Sequence, residues 1–195
     1  MIKMIFFFRR FLEFFKISYL KYIYKNKLKL GSNCKIESGT KVQIILGHVR
    51  LGDNVVLRSS PYRYHAGMPF RCTVLADEKE AEINIGDNCR INGAYIHAKS
   101  SIKIGNNCVI ASGVNILDSN GHEVFSGNRT VGQDRPEGII IGDNVWIGIN
   151  AVVLKGTKIG RNSILSANSV AKGIFPDNSL ISGNPAKLIK KLEIP

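Results

Sequence analysis

From Ile141 to Ala171 an aliphatic or small residue stands at every sixth position without a break: Ile141, Ile147, Val153, Ile159, Leu165 and Ala171. Four residues after each of the first five comes a small or β-branched residue, at Val145, Ala151, Thr157, Ser163 and Ser169. Gly and Asn fill the places between, among them Gly142, Gly148, Gly160, Asn144, Asn150, Asn162 and Asn168. A period of six fits neither the helix at 3.6 nor the alternation of a half-buried strand. It fits a short strand followed by a turn, with each aliphatic side chain directed into a narrow core and Gly or Asn turning the chain. Units of this kind stack into a parallel β-helix.

The same spacing runs back through the chain, less evenly. It begins at Leu30, Ile36 and Val42, continues after an offset at Leu51, Val55 and Leu57, and resumes at Ile85 and Ile91. After a slip of one residue it reaches Ile104, Ile110 and Ile116. The pattern thus predicts an all-β domain over 29–180, interrupted by inserts at 58–82 and 117–138. The second insert is rich in Gly, Asn, Asp and Arg, and a loop of that length inside a compact repeat is more often functional than accidental.

The two ends differ in kind. Residues 1–28 hold nine of the sixteen aromatics, and Phe7, Phe11, Phe14, Phe15 and Tyr22 recur at spacings of three, four and seven, which predicts an amphipathic helix. Basic residues interrupt the apolar ones, so no run reaches the roughly 20 residues that span a bilayer, and no small-residue cleavage site marks a secretory signal. An aromatic face with basic flanks suits an anionic membrane interface; packing on the β-helix or on a neighbouring subunit suits it equally. At the other end, 181–195 is basic and amphipathic, and is expected to form a short helix capping the solenoid.

Composition changes the picture in two respects. The net charge is +12, yet residues 1–30 hold eight basic residues against the single acid Glu13, net +7. Charge gathered at the ends without a reading motif argues against nucleic acid as a partner. Of the four cysteines, Cys34, Cys89 and Cys108 each follow an aliphatic by four positions, where other repeats carry Val, Ala, Thr or Ser. They read as small core residues rather than disulfide partners or metal ligands, and unpaired thiols suit a reducing, cytoplasmic setting. Cys72 lies outside the repeats and carries no such signal.

Three motifs add chemistry: Ile141-Gly-Asp-Asn-Val-Trp-Ile-Gly148, Leu117-Asp-Ser-Asn-Gly-His122 and Ser182-Gly-Asn-Pro-Ala-Lys187. Together they resemble the hexapeptide-repeat acyltransferases, in particular the maltose, galactoside and polysaccharide O-acetyltransferases, over roughly residues 83–192. The resemblance implies a left-handed β-helix, association into homotrimers with active sites between subunits, and transfer of an acetyl group from acetyl-CoA to a sugar hydroxyl. It places the catalytic base at His122, an imidazole able to accept the hydroxyl proton. It assigns the backbone N–H of Ile149 to the developing oxyanion. Coenzyme A is implied along Gly148, Ile149 and Ala167, with Lys172, Asn184, Pro185 and Lys187 near its nucleotide and phosphates. Asn92 falls one position from a family asparagine that contacts the acceptor. Asp118 either orients His122 or caps a turn, and Trp146 either walls the cleft or meets another subunit.

No metal is expected, because His48, His65, His97 and His122 lack the close pairing of the γ-type carbonic anhydrases that share this fold. About 30 residues before the repeats are too few for the helical domain of a serine acetyltransferase. An antibiotic or other small-molecule acetyltransferase of the same fold stays open, as does a non-catalytic, membrane-associated solenoid. The acceptor expected on the resemblance is a polysaccharide or a lipid-linked saccharide, met in the cytoplasm or peripherally at the inner face of the membrane.

Overall fold

A computed structural model describes residues 2–62, 64 and 66–193, the first nine of these through their backbone. Met1, Arg63, His65, Ile194 and Pro195 lie outside the described residues, as do the portions of the 1–28, 58–82 and 181–195 segments that they occupy.

The chain forms a left-handed parallel β-helix whose three faces are flat sheets. Face A stacks Leu28–Leu30, His48–Leu51, Glu82–Ile85, Ser101–Ile104, Ile139–Ile141, Lys158–Ile159 and Ile174–Phe175. Face B stacks Lys35–Ile36, Val56–Arg58, Arg90–Asn92, Val109–Ile110, Trp146–Ile147, Ile164–Leu165 and Ser179–Gly183, with Ala186–Lys191 at its end. Face C stacks Lys41–Ile44, Thr73–Ala76, Tyr95–Ala98, Asn115–Leu117, Val152–Val153 and Val170–Ala171. Ile141 pairs with Ile159, Ile147 with Leu165 and Val153 with Ala171, so one coil takes eighteen residues and three hexapeptides.

Each hexapeptide aliphatic points inward. Ile83, Ile91, Ile96, Ile110, Ile116, Ile147, Val153 and Leu165 have no exposed surface. Burying each such side chain contributes about 1.5–3 kcal/mol, and the narrow triangle leaves room for little else. Corners are made by asparagine in the left-handed region, at Asn33, Asn54, Asn88, Asn107, Asn144, Asn162 and Asn178 between faces A and B, each with φ between 54° and 59°. Asparagine tolerates that backbone better than other side-chain-bearing residues. Its amide then bonds to the asparagine one coil on, as from Asn54 to Asn88 (2.9 Å) and Asn144 to Asn162 (3.0 Å). Gly105 precedes such a corner because a Cβ there would come within 2.4 Å of the Asp143 carboxylate.

The thiols belong to the same ladder. Cys34, Cys89 and Cys108 each donate to a glycine carbonyl of the following coil, at 3.1, 3.1 and 3.2 Å. Cys72 corrects the sequence reading. It is completely buried just before the face C strand Thr73–Ala76, and its carbonyl accepts the Lys41 N–H. The irregular excursion is accordingly shorter than 58–82, running over 59–72.

The N-terminal helix, Ile2–Tyr24, covers the first coil. Leu20 is buried, Ile17 and Tyr24 pack against the core, and the Tyr24 hydroxyl donates to the Val42 carbonyl (2.9 Å). The expected C-terminal helix is instead the second strand of a hairpin: Ala186–Lys191 pairs antiparallel with Ser179–Gly183. Its Ala-Lys-Leu-Ile-Lys-Lys spacing is amphipathic, but six residues cannot carry the cost of helix nucleation. The open edge of face B supplies a row of unpaired backbone groups that captures it.

Burial raises the Cys72 thiol to about 12 and pushes Cys34 upward to a lesser degree. Cys34 is half-buried, whereas Cys72, Cys89 and Cys108 have no exposed surface, and thiols closed off from solvent are inert. Titration of the native protein with an aromatic disulfide reagent should therefore modify Cys34 alone, and all four cysteines after unfolding in urea.

Candidate functional site

The long loop leaves face C after Leu117 and rejoins the solenoid on face A at Ile139. Its two ends are tied together. Asp118 is fully buried; its carboxylate accepts the N–H groups of Lys99 and Ser100, both at 2.8 Å, and its carbonyl accepts the Glu137 N–H at 2.8 Å. Burial pushes this carboxyl up and the donated N–H groups pull it back, with burial prevailing. Asp118 therefore caps the turn between faces C and A. Both its oxygens are engaged inside its own corner.

A second tie lies one turn further out. Asp134 accepts the Asn120 N–H at 2.8 Å and the Lys155 ammonium at 2.8 and 3.0 Å, and that ammonium also reaches the Arg135 carbonyl at 2.9 Å. Burial pushes the Asp134 carboxyl up, but the Asn120 N–H and the Lys155 charge outweigh it and hold the group below its ordinary value. A carboxyl depressed in the folded state stabilises above its unfolded pKa of about 4 and loses that contribution as pH falls through the native value. The pin is thus complete at neutral pH. His122 stands two residues beyond the pinned Asn120, after Gly121 at φ 80°, with its ring exposed to solvent.

Gly148, Ile149, Ala167, Asn184 and Pro185 come together along the edge between faces B and C. A Cβ on Gly148 would lie 2.5 Å from the Ala167 nitrogen, so the two turns touch backbone to backbone. The Gly183 N–H donates to Ser169 (3.1 Å), which brings the hairpin tip to the same edge. Among the described residues the Ile149 N–H has no hydrogen-bond acceptor, whereas its carbonyl accepts from Asn168 (2.8 Å). Trp146 faces outward on face B, 53% exposed, between Val109 and Ile164. Lys187 is exposed on the hairpin's outer strand.

Three residues stand apart. Lys172 follows Val170–Ala171 and lies at the far end of face C, beside the edge from which the His122 loop leaves. Within one chain Ile149 and the root of the His122 loop therefore lie at opposite edges of face C, on the order of 15 Å apart at about 3.3 Å per strand residue. Asn92 lies on the Ile149 edge two coils away, 8% exposed, and its amide donates to the Ile110 carbonyl (3.0 Å).

Sequence reasoning missed a second histidine with a carboxylate. His97 Nε2 lies 2.9 Å from Asp77 Oδ2 on the outer side of face C, in register with Leu117 where the loop departs. Asp77 and His97 are twenty positions apart, and only the stacking of two coils brings them together. Beside them the excursion 59–72 walls a groove of about 480 Å³ lined by Lys41, Phe70, Arg71, Thr73, Tyr95 and Asn115. Among the described residues no three potential ligands gather as a metal site, and no helix is long and apolar enough to cross a membrane.

Two family models match the chain: "Bacterial transferase hexapeptide (six repeats)" over residues 138–173 and "Hexapeptide repeat of succinyl-transferase" over residues 82–117. WbbJ of Escherichia coli (strain K12), provisionally designated a lipopolysaccharide biosynthesis O-acetyl transferase, is 32% identical over 180 residues, covering 75% of this chain and 89% of its own. The galactoside O-acetyltransferase of the same organism is 34% identical over 113 residues, covering 57% of this chain and 55% of the relative. Among solved structures, AntD, an N-acyltransferase from Bacillus cereus in complex with dTDP and 3-hydroxybutyryl-CoA, superposes with a TM-score of 0.68 at 17% identity. That superposition covers 89% of this chain and 88% of AntD, a likeness of fold.

The two ties make separable predictions. Replacing Asp118 by Ala strands two part-buried N–H donors, so urea unfolding should show a loss of about 1–3 kcal/mol. Lys155→Met should lower the unfolding midpoint less than Asp118→Ala does, while trypsin cuts several-fold faster after Arg129, read by mass spectrometry of the fragments.

Proposed function

The chain belongs to the hexapeptide-repeat acetyltransferase family, and from that premise we propose that it moves an acetyl group from acetyl-CoA to a hydroxyl of a saccharide. The observation that carries this reading is the free Ile149 N–H on the edge that also bears Gly148, Ala167 and the Asn184–Pro185 tip. An N–H without an acceptor, held by a rigid corner, is the donor an acyl-transfer oxyanion requires. The saccharide acceptor is supported by the designation of WbbJ; a polysaccharide or lipid-linked saccharide in the cytoplasm is the form this reading favours.

In the reaction, the acceptor hydroxyl oxygen attacks the thioester carbonyl carbon while the His122 imidazole takes the hydroxyl proton. The oxyanion so formed is held by the Ile149 N–H. It collapses with cleavage of the carbon–sulfur bond, and the proton passes from the imidazolium to the departing coenzyme A thiolate. Pantetheine lies along Gly148, Ile149 and Ala167; Lys187 of the same chain meets the phosphates, and Lys172, on the His122 edge, reaches them from the neighbouring chain. Because His122 and Ile149 occupy different edges, the base of one chain serves the oxyanion donor of its neighbour, in a homotrimer. Trp146 walls that cleft. The groove beside Arg71 and Tyr95 receives the remainder of the acceptor, which leaves Asn92 a part of the edge rather than a contact.

The test is release of free coenzyme A from acetyl-CoA over a panel of saccharides, for the native protein, His122→Ala and His97→Ala. Losing a positioned base costs about 10²–10⁴-fold, so His122→Ala should abolish acceptor-dependent release while acetyl-CoA binding persists. His97→Ala should retain turnover. Loss in His97→Ala alone would move the base to the Asp77–His97 pair. No binding of acetyl-CoA by the native protein would leave a non-catalytic solenoid.

A further inference from the structure

The N-terminal helix has two faces with different fates. Ile17, Leu20 and Tyr24 hold it to the first coil. At about 100° per residue, Phe11, Phe15 and Tyr22 fall within about 40° of one another, and the docked residues lie about 140–160° from their centre. The stripe therefore points directly away from the solenoid. Burial agrees: Phe11 is 50%, Phe15 53% and Tyr22 77% exposed, with Phe14, Tyr19, Leu12 and Ile23 exposed on its flanks. The rings already touch, Phe11 and Phe15 edge to face at 4.5 Å and Phe14 and Phe15 at 6.0 Å. So large an aromatic surface on an element already anchored by its other side marks an interaction face.

Charge selects the partner. Residues 1–30 carry net +7, and on the helical wheel the half-buried Lys16 and the exposed Lys21 lie on either side beyond the aromatic flanks, about 100–120° from the centre of the stripe. Aromatic rings at the middle and ammonium groups at the margins match the boundary between acyl chains and anionic headgroups, with the lysines reaching up to the phosphates. A second copy of the same helix would set like charges against each other. The helix is also not apolar enough to span, so it lies in the interface.

We infer that the outward face formed by Phe11, Phe15 and Tyr22 seats the protein on an anionic lipid bilayer, with the helix axis parallel to the surface and the solenoid standing away from it. This rests on the helix alone, independently of acetyl transfer.

Flotation of the full chain with vesicles of phosphatidylcholine, with and without one-third phosphatidylglycerol, tests it. The native protein should float with the anionic vesicles, several-fold less with the neutral ones, and less as salt rises. The triple variant Phe11→Ser, Phe15→Ser, Tyr22→Ser should lose partitioning at least ten-fold. These positions face solvent, so its unfolding midpoint and acetyl-CoA binding should match the native protein. Lys21→Glu should weaken anionic binding and leave neutral binding alone. Equal flotation of native and triple variant, or none by the native protein, overturns the inference. So does a triple variant whose sedimentation shows a smaller assembly, because the face would then be joining copies of the chain.

Discussion

In a coil of eighteen residues the backbone has to turn three corners and still pair every strand with the coils above and below. The corners decide whether it can. Between faces A and B the N–H after four successive corner glycines is taken up by a side chain one coil on, from Ser32 to Asp53, Asp53 to Asp87, Asp87 to Asn106 and Asn106 to Asp143, at 2.6–2.8 Å. The left-handed asparagines beside them bond along the same axis. Short strands of two to four residues would hold little by themselves; stacked through these corner ladders they share one hydrogen-bond lattice. The inward positions are then confined to aliphatic and small side chains, and polar chemistry is displaced to outer faces, edges and excursions.

The excursions respect that lattice. Leu51 pairs with Ile85 and Ile104 with Ile141, although the chain between them is roughly twice the length of a coil. The added residues leave at a corner and return to the same corner, so the stack closes beneath them without a change of register. At the second excursion the closure is reinforced by Asp118 within the edge and by Asp134 with Lys155 outside it. His122 thus sits on a mobile kind of segment made stationary at its root, which reconciles an exposed ring with a defined position.

The repeats from 83 to 175 were legible because a triangular core admits one residue type at one spacing, and spacing is what a sequence displays directly. Asparagine and glycine at the turns were legible for the same reason. Cys72 was not, because the excursion before it hides its phase. The C-terminal hairpin was not, because its amphipathic spacing serves a helix as well as an edge strand, and the unpaired edge that decides the matter belongs to another coil. Asp118 could be narrowed to two roles by sequence, and its two N–H donors assign it to the turn. The Asp77–His97 pair leaves no trace in one dimension at all, since its members meet only through stacking.

The hairpin at the end of face B has a consequence for how the molecule behaves in a crowd. A stack of parallel coils is open at both ends, and an identical coil would fit each end as well as its own neighbour does. Ala186–Lys191 reverses direction against Ser179–Gly183 and presents exposed lysines, so the last surface of that sheet runs the wrong way and carries the wrong charge for another first coil. At the opposite end the docked helix lies across the entrance. The chain is built as a segment of a fibre whose growth has been stopped at both termini.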